Sequence, residues 1–144
     1  MVVRVVVLLL AAARAEILRR VIVTGGTHGN EYTGVFAVNR LQKRPALLRD
    51  YPSLEEEAML SHTRAHAENK RYVDEDLNRR FSMERLAEPP GATVESRRAA
   101  EINERIGPKG SASACDFLID LHTTTADMGV TLIVDRWCPL ALRA

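Results

Sequence analysis

The sequence predicts an α/β fold with a mostly parallel sheet flanked by helices, and three observations support this. Val21–Val23 is a short β-branched run, Phe117–Leu121 is an apolar run interrupted only by Asp120, and both indicate buried strands. Two stretches, 31–43 and 93–106, repeat apolar residues at helical spacing. Strands that alternate with helices pair in parallel, because the connecting helix returns the chain to the same end of the sheet. The 144 residues suit one domain or part of a larger one.

The N-terminal stretch "MVVRVVVLLLAAARA" has three interpretations that the sequence leaves open. Arg4 precedes the apolar run Val5–Ala13 and small residues follow, so residues 1–15 form a candidate secretory signal peptide. The alternatives are a buried strand and a segment that is not native to the domain. The run is too short to span a bilayer. We therefore describe residues 1–20 as an unassigned, apolar N-terminal extension.

The first predicted strand, Val21–Val23, is β-branched and runs into Gly25-Gly26, which favours a tight turn at its end. Apolar residues at helical spacing then predict a helix over about Glu31–Lys43. Pro45 and Pro52 bracket a loop after this helix.

The middle of the chain is less regular. Ser53 followed by Glu56 is a capping-box pattern, which predicts the start of a helix. The residues between that point and Lys70 are ambiguous between helix and strand. Pro89-Pro90-Gly91 predicts a loop.

The last third of the chain predicts one helix and two strands. The stretch 93–106 predicts an amphipathic helix that Gly107-Pro108 ends. Strands are predicted at Phe117–Leu121 and Thr131–Val134. The inward positions of the helix are predicted to be Val94, Ala99, Ile102 and Ile106.

Composition argues against several classes of partner. The formal net charge is +1 and no dense Lys/Arg stripe is present, so nothing indicates a nucleic-acid partner. Charged residues make up 27% of the chain with mixed sign, as on an ordinary solvated surface, and no membrane partner is predicted. Cys115 and Cys138 fit free thiols in a reducing compartment. We therefore expect a cytoplasmic protein, or a secreted one if residues 1–15 act as a signal peptide.

Three residues of metal-ligand type follow the ends of two predicted strands. His28 comes just after the first strand and His122 just after "FLIDL", and ligands gather beyond the carboxyl ends of strands in open α/β sheets. Glu31 lies three residues after His28, so a helical turn would place both side chains on one face. Two imidazoles and a carboxylate are a ligand set of catalytic zinc. The pattern makes these residues a candidate zinc site, although His-x-x-Glu alone is common in proteins without metal.

Other histidines and acids near this pattern have competing interpretations. Asp120 lies two residues before His122 on the same side of the strand, so it could orient that histidine. The alternative is that Asp120 caps a local backbone donor. His62 and His66 are spaced i,i+4, but no glutamate with zincin spacing accompanies them, so we interpret both as surface residues.

The segment "KRYVDEDLNRRF", residues 70–81, is rich in charge. Its composition alone favours a solvated loop. The functional interpretation is a clamp for a substrate, because arginine binds a carboxylate through two parallel hydrogen bonds. In that interpretation Arg71 and Arg79 hold the carboxylate, and Asn78 donates to a carbonyl or to a second carboxylate oxygen.

Three motifs, "GGTHGNEYTGVF", "RYVDEDLNRRF" and "DLHTTTADMG", together resemble the aspartoacylase and aminoacylase-3 family, within the zinc carboxypeptidase-like clan. The resemblance covers about 20–134, with the motifs in order. It implies a zinc-carboxypeptidase-like fold and one zinc ion per subunit. By this resemblance the metal ligands are His28, Glu31 and His122, and the substrate-binding residues are Arg71, Asn78 and Arg79.

The chain departs from the family pattern in three places. Thr123 stands where Asn is usual, and His62-Thr63 replaces an Asn-Pro pair. The chain ends at Ala144, whereas family members continue. The resemblance therefore implies that residues 21–144 are the N-terminal portion of a zinc deacylase domain, incomplete at the C-terminus. The general-base glutamate is expected beyond residue 144, so no catalytic residue is identified.

The function implied by the resemblance is a zinc-dependent amidohydrolase that removes the acyl group from N-acyl amino acids. The alternative is a catalytically inactive, truncated form that binds zinc or pairs with a full-length subunit. The expected partner is a small-molecule N-acyl amino acid, and a homo-oligomer is left open. Acidic substrates compete with aromatic or cysteine-conjugate ones, and we favour the second group slightly. A nucleotide-binding module is disfavoured, because no G-x-G-x-x-G follows the first strand.

Overall fold

The computed structural model describes residues 18–43, 53–89, 91–125 and 129–134, together with the backbone of 5–11. Its strands are β1 Val5–Ala11, β2 Arg20–Gly25, β3 Glu55–Leu60, β4 Phe117–Thr123 and β5 Val130–Val134. Its helices are α1 Tyr32–Gln42, α2 Thr63–Ala67, α3 Met83–Ala87 and α4 Val94–Arg105, and Leu77–Arg79 forms a 3-10 turn. In this part of the chain the strands form one sheet, in the order β3-β2-β4-β1-β5.

The centre of the sheet is parallel. β2 pairs in parallel with β3 and with β4, and the register places Gly25 beside Leu121. Three of the four pairings among the described strands are parallel, which confirms the predicted mostly parallel sheet with flanking helices. α1 packs against β2, β3 and β4. Because β2 and β4 end at the same edge, the residues that follow β2 meet the end of β4 there.

The N-terminal apolar run contributes a strand to this sheet. Val5–Ala11 lies between β4 and β5, running antiparallel to β4 and parallel to β5. Its register places Val6 opposite His122 and Leu8 opposite Asp120. The strand interpretation therefore holds for the residues of β1. None of the helices in the described ranges has the length and apolar character that a membrane span requires.

The helix start predicted at Ser53 is wrong. Glu55–Leu60 forms β3 at the edge of the sheet and pairs with β2 along its whole length. Pairing with β2 and burial of Met59 outweigh the weak helical preference of the glutamates, because tertiary contacts routinely override local propensity. A helix begins only at Thr63, where α2 starts. The loop predicted between Pro45 and Pro52 lies outside the described residues.

The amphipathic helix occurs where it was predicted, but its inward face is shifted. Ala99 and Ile102 are buried and pack with Met59 and Leu77, and Ile106 packs against this cluster. The predicted inward position Val94 is only half-buried, whereas its neighbour in the first turn, Glu95, is fully buried. Positions 95, 99 and 102 stand at i, i+4 and i+7, so the buried stripe of α4 begins with a glutamate.

Candidate metal centre

The close approach of α1 to the sheet builds the site. A Cβ at Gly25 would lie 2.4 Å from the carbonyl oxygen of Gly34, and a Cβ at Gly34 would lie 2.3 Å from the carbonyl oxygen of Leu121. Only glycine fits both contacts, because these distances are shorter than any van der Waals contact. The contacts bring the N-terminus of α1, with Glu31 as its N-cap residue, against the end of β4.

The side chains of His28, Glu31 and His122 converge at this edge. Nδ1 of His28 lies 2.6 Å from Oε1 of Glu31, and Nδ1 of His122 lies 3.0 Å from Oε2. The two imidazole centroids are 5.0 Å apart, and both rings are buried. One ligand atom from each residue lies within 4.8 Å of the others, so the group could hold a metal ion. We call these three residues the His-Glu-His cluster.

Each imidazole of the cluster has a carboxylate on its other nitrogen. Nε2 of His122 lies 2.7 Å from Asp120, and Nε2 of His28 lies 3.1 Å from Asp76. Asp120 is fixed in turn by the hydroxyl groups of Thr24 and Thr27, which donate at 2.8 and 2.9 Å. A carboxylate on the outer nitrogen sets the ring orientation, and metal-binding histidines usually have such a partner. Both Nδ1 atoms therefore face Glu31.

The charges within the cluster stabilise one another. Burial opposes ionisation of Glu31, but hydrogen bonds from His122, His28 and the backbone N–H of Thr123 outweigh it, so the pKa of Glu31 is lowered. Burial likewise opposes a charged His122, yet its contacts with Asp120 and Glu31 raise its pKa to about 10. The pKa of Asp76 is lowered, because its bonds to His28 and the Asn78 backbone outweigh the cost of burial. The cluster thus presents an ionised carboxylate between two imidazoles.

Thr123 meets the cluster through its backbone. Its N–H donates to Oε2 of Glu31 at 2.8 Å. Its side-chain oxygen is buried and has no hydrogen-bond partner in the described part of the chain. Because the bond to Glu31 comes from the main chain, Thr in place of the usual Asn leaves that bond intact.

The charged loop brings Arg71 to the cluster. Its guanidinium lies 3.4 Å from Oε1 of Glu31 and 3.5 Å from Oδ2 of Asp76, and its side chain is about half exposed. The backbone N–H of Asn78 donates to Asp76 at 3.0 Å. Arg79, at the end of the 3-10 turn, is exposed. One of the three predicted substrate-binding residues thus touches the cluster, and the other two follow it on the same loop.

The interpretation of His62 and His66 as surface residues is wrong. His62 is 1% exposed, and its Nε2 lies 2.8 Å from the buried carboxylate of Glu95. Its Nδ1 accepts from the backbone N–H of Ala65, which caps α2. His66 is half-buried and contacts the carbonyl of Gly29 at 3.0 Å. His62 therefore faces the buried Glu95, and His66 faces the turn that carries His28.

Sequence reasoning missed two carboxylates that the fold uses. No spacing pattern joins Asp76 to His28, which lies 48 residues earlier. Glu95 could have been found, since it shares the i, i+4, i+7 stripe with Ala99 and Ile102. A charged residue on an apolar stripe indicates a buried partner.

Most of the chain matches a known protein family and several known proteins. Residues 17–142 match the model of the succinylglutamate desuccinylase/aspartoacylase catalytic domain. The N-acyl-aromatic-L-amino acid amidohydrolase (carboxylate-forming) of Homo sapiens is 47% identical over 120 residues, which are 82% of this chain and 37% of that protein. The aspartoacylase of Rattus norvegicus is 43% identical over 122 residues, covering 83% of this chain and 39% of that protein.

A bacterial relative and a solved structure agree with this result. A probable aspartoacylase of Trichodesmium erythraeum is 38% identical over 126 residues, covering 88% of this chain and 42% of that protein. The crystal structure of murine aminoacylase 3 superposes with a TM-score of 0.63 at 39% identity, over 71% of this chain and 34% of that one. The chain therefore spans 37–42% of the length of these curated relatives.

Proposed function

Because the chain belongs to the succinylglutamate desuccinylase/aspartoacylase catalytic-domain family, we propose that it is the metal-binding part of a zinc-dependent amidohydrolase that removes the acyl group from N-acyl amino acids. The observation that carries this proposal is the convergence of one ligand atom each from His28, Glu31 and His122 within 4.8 Å. Relatives named aspartoacylase and N-acyl-aromatic-L-amino acid amidohydrolase support the reaction class.

The donor set fits zinc. Two imidazole nitrogens and one carboxylate oxygen are a set that catalytic zinc uses, with a further position left for water or substrate. The carboxylates of Asp76 and Asp120 on the outer imidazole nitrogens add the support that such ligands need. We assign one zinc ion per chain to the His-Glu-His cluster.

The residues of the chain have distinct roles in this proposal. Zinc, when bound, supplies a Lewis acid that lowers the pKa of water and polarises an acyl carbonyl. Asp120 and Asp76 hold the two imidazoles in orientation. Arg71, half exposed beside Glu31, binds the carboxylate of the amino acid, with Asn78 and Arg79 on the same loop completing the clamp. This clamp fixes the acyl group relative to the cluster, which is a positioning role.

The substrate is a small N-acyl amino acid in this proposal, and both side-chain classes need testing. We favour aromatic or cysteine-conjugate substrates slightly over acidic ones. The relatives named for aromatic and for aspartate substrates are 47% and 43% identical to the chain.

A second candidate function is zinc binding without turnover, alone or paired with a longer subunit. The observation that favours it is that the carboxylates beside the cluster in the described residues are already held. Asp120 accepts from two threonine hydroxyls, and Asp76 contacts His28 and Arg71. Neither is free to take a proton from water and deliver it to the leaving amine.

Metal titration tests the proposal. The 144-residue chain, stripped with a chelator and titrated with zinc, is expected to bind one equivalent. The double variant His28→Ala, His122→Ala is expected to lose that equivalent, and His66→Ala, which alters a histidine outside the cluster, is expected to keep it. Zinc binding that survives in the double variant would place the metal elsewhere and overturn the assignment.

A further inference from the structure

The loop that carries Arg71 is held by one buried carboxylate. Three successive backbone N–H groups, those of Val73, Asp74 and Glu75, point to the side chain of Glu95. The distances are 2.6 Å from Val73 and 3.2 Å from each of the other two. Residues 73–75 lie outside helices and strands, so these donors have no partner from regular secondary structure. Glu95 supplies that partner from the first turn of α4.

Among the residues that the structure describes, the partners of the Glu95 carboxylate are N–H groups and not a lysine or arginine. His62 contributes a fourth hydrogen bond, at 2.8 Å from its Nε2. Because Nδ1 of His62 accepts from Ala65, the proton of a neutral ring lies on Nε2, the nitrogen that faces Glu95. A buried carboxylate with several N–H donors keeps its charge. The side chain of Glu95 is 0% exposed, and its bonds to the turn 73–75 are partly buried.

Acidic side chains of the loop also accept hydrogen bonds from the start of α4. Asp74 accepts from the backbone N–H of Val94 at 2.8 Å, and the hydroxyl of Thr93 donates to Glu75 at 2.6 Å. The turn 73–75 and the N-terminal turn of α4 are therefore joined by bonds in both directions. Because of these bonds, we expect a displacement of Glu95 to displace residues 73–75 together.

The turn 73–75 stands between the two loop residues that touch the His-Glu-His cluster. Arg71 lies two residues before it and contacts Glu31. Asp76 follows it directly and contacts His28. We infer that Glu95 is a positioning residue of the site, which holds Arg71 and Asp76 against the cluster through the backbone of 73–75. The inference rests on the proposed function for the role of Arg71 in binding a carboxylate, whereas the anchoring of the turn stands on the contacts alone.

Glu95→Gln in the zinc-loaded 144-residue chain tests the inference. Glutamine keeps the shape, but its NH₂ group cannot accept from backbone N–H groups. Amide hydrogen exchange at 73–75 is expected to become faster while exchange in β2 stays slow. Affinity for N-acetyl-L-phenylalanine and N-acetyl-L-aspartate is expected to fall about tenfold, because misplacement of a positioning group weakens the contacts it aligns. Zinc stoichiometry is expected to remain at one.

Two control variants separate positioning from general destabilisation. Glu104→Gln makes the same chemical change on the exposed face of α4 and is expected to alter none of the readouts. Phe117→Leu lowers stability at the far end of β4, where Phe117 packs with Leu18 and Val21. If Phe117→Leu weakens N-acyl amino acid binding as much as Glu95→Gln does, Glu95 is only structural and the inference is overturned.

The remaining outcomes also support or overturn the inference about Glu95. Unchanged exchange at 73–75 in Glu95→Gln overturns the inference. If the parent chain binds zinc but neither N-acetyl amino acid, the substrate part of the proposed function fails, and exchange at 73–75 alone then supports or overturns the anchoring. If Glu95→Gln does not fold, Glu95→Asp keeps the charge and shortens the reach. Glu95→Asp is expected to show the same local changes, and wild-type exchange in that variant overturns the inference.

Discussion

At the scale of single residues, the site depends on carboxylates that support other side chains. Asp120 and Asp76 each bind the outer nitrogen of one cluster imidazole, and Glu95 binds the loop. Of the acids that the structure describes around the cluster, Glu31 is the one placed with the two imidazoles so that it could hold a metal ion. The acids around the cluster are therefore divided between a candidate metal ligand, Glu31, and residues that orient other groups.

Asp120→Asn is expected to weaken zinc binding about 10- to 100-fold, the usual cost of removing the partner of a ligating histidine. Asparagine keeps the size but removes the charge that Nε2 of His122 faces at 2.7 Å. Competition with a chromophoric chelator measures the affinity. Glu56→Gln, on the exposed side of β3, is the control and is expected to bind zinc like the parent chain. Equal zinc affinities in both variants would show that Asp120 accepts hydrogen bonds from Thr24 and Thr27 but does not support His122 as a ligand.

Arg71→Ala in the zinc-loaded chain is expected to lose about 1.5–3 kcal/mol of binding free energy for an N-acetyl amino acid, the usual value of a charge-assisted hydrogen bond. Arg79→Ala is expected to act in the same direction. Isothermal titration calorimetry gives the difference directly. The matched control is Arg97→Ala on the exposed face of α4, expected within about 0.5 kcal/mol. Arg97 donates to the carbonyls of Gly91 and Ala92, next to its own helix. Arg98 would be a poor control, since its guanidinium joins α4 to the distant carbonyls of Ser61 and Leu60. Equal losses of binding free energy at 71, 79 and 97 would show that the charged loop does not bind the substrate.

The anchor Glu95 gives stability a defined pH dependence. Burial opposes its charge, but bonds from His62 and the backbone of Val73 and Asp74 lower its pKa below the ordinary value. A lowered folded-state pKa contributes stability that is present above the unfolded value, near 4.3, and is lost as the pH falls through the folded value. The parent chain is therefore expected to lose stability relative to Glu95→Gln only below about pH 4.3. Urea unfolding between pH 3 and 7 measures this, and parallel curves for the two chains would contradict it.

At the scale of elements, the site is made by the contact between α1 and the ends of two parallel strands. Gly25 and Gly34 allow that contact, and Gly26, at φ +69°, turns the chain from β2 towards His28. The turn, the helix N-terminus and the end of β4 each contribute one residue of the cluster. A shift of α1 along the sheet would separate Glu31 from both histidines.

Gly34→Ala is expected to destabilise the chain although alanine is the better helix former. Its Cβ would lie 2.3 Å from the backbone oxygen of Leu121, and backbone cannot move aside cheaply. Overpacking typically costs about 1–3 kcal/mol, against about 1 kcal/mol gained in helix propensity. Urea unfolding and zinc titration measure both consequences. Gly91→Ala is the control, since among the described residues its Cβ would meet the side chain of Ser96, at 3.2 Å, and no backbone. A Gly34→Ala chain as stable as the parent would show that α1 does not pack closely against the backbone of Leu121.

At the scale of the whole molecule, the candidate metal site and the loop proposed to bind the substrate lie at one edge of the sheet. The resemblance to the aspartoacylase and aminoacylase-3 family is confirmed by the family model and by relatives at 38–47% identity. β5 lies at one edge of the described sheet, and Val130, Leu132 and Ile133 are exposed there. The other edge is β3, with exposed glutamates.

The 144-residue chain, loaded with zinc, is expected to hydrolyse N-acetyl amino acids at least about 100-fold more slowly than murine aminoacylase 3. A positioned acid–base group contributes about 10²–10⁴-fold, and the carboxylates beside the cluster in the described residues are engaged elsewhere. Release of free amino acid from N-acetylated phenylalanine and aspartate measures turnover. A rate equal to that of the murine enzyme would identify one of those carboxylates as the base.

The sequence by itself determined some of the local elements and the candidate ligand types. Periodicity located β2, α1, α4 and β4, and the rule that strand ends share an edge brought His28 to His122 across 94 positions. These features follow from backbone geometry and side-chain spacing, which neighbouring residues define. The motif resemblance added the predicted substrate-binding residues, of which Arg71 contacts Glu31 in the structure.

Only the tertiary structure decided which groups support the site. The strand at Glu55–Leu60 forms because β2 needs a partner there, against the local helix signal. His62 turned inward because Glu95 lies opposite it, 33 residues later in the chain. Asp76 became the partner of His28 because the loop is held by Glu95. Each of these depends on a contact between distant segments, and the free energy of such a contact is not encoded in the spacing of either segment.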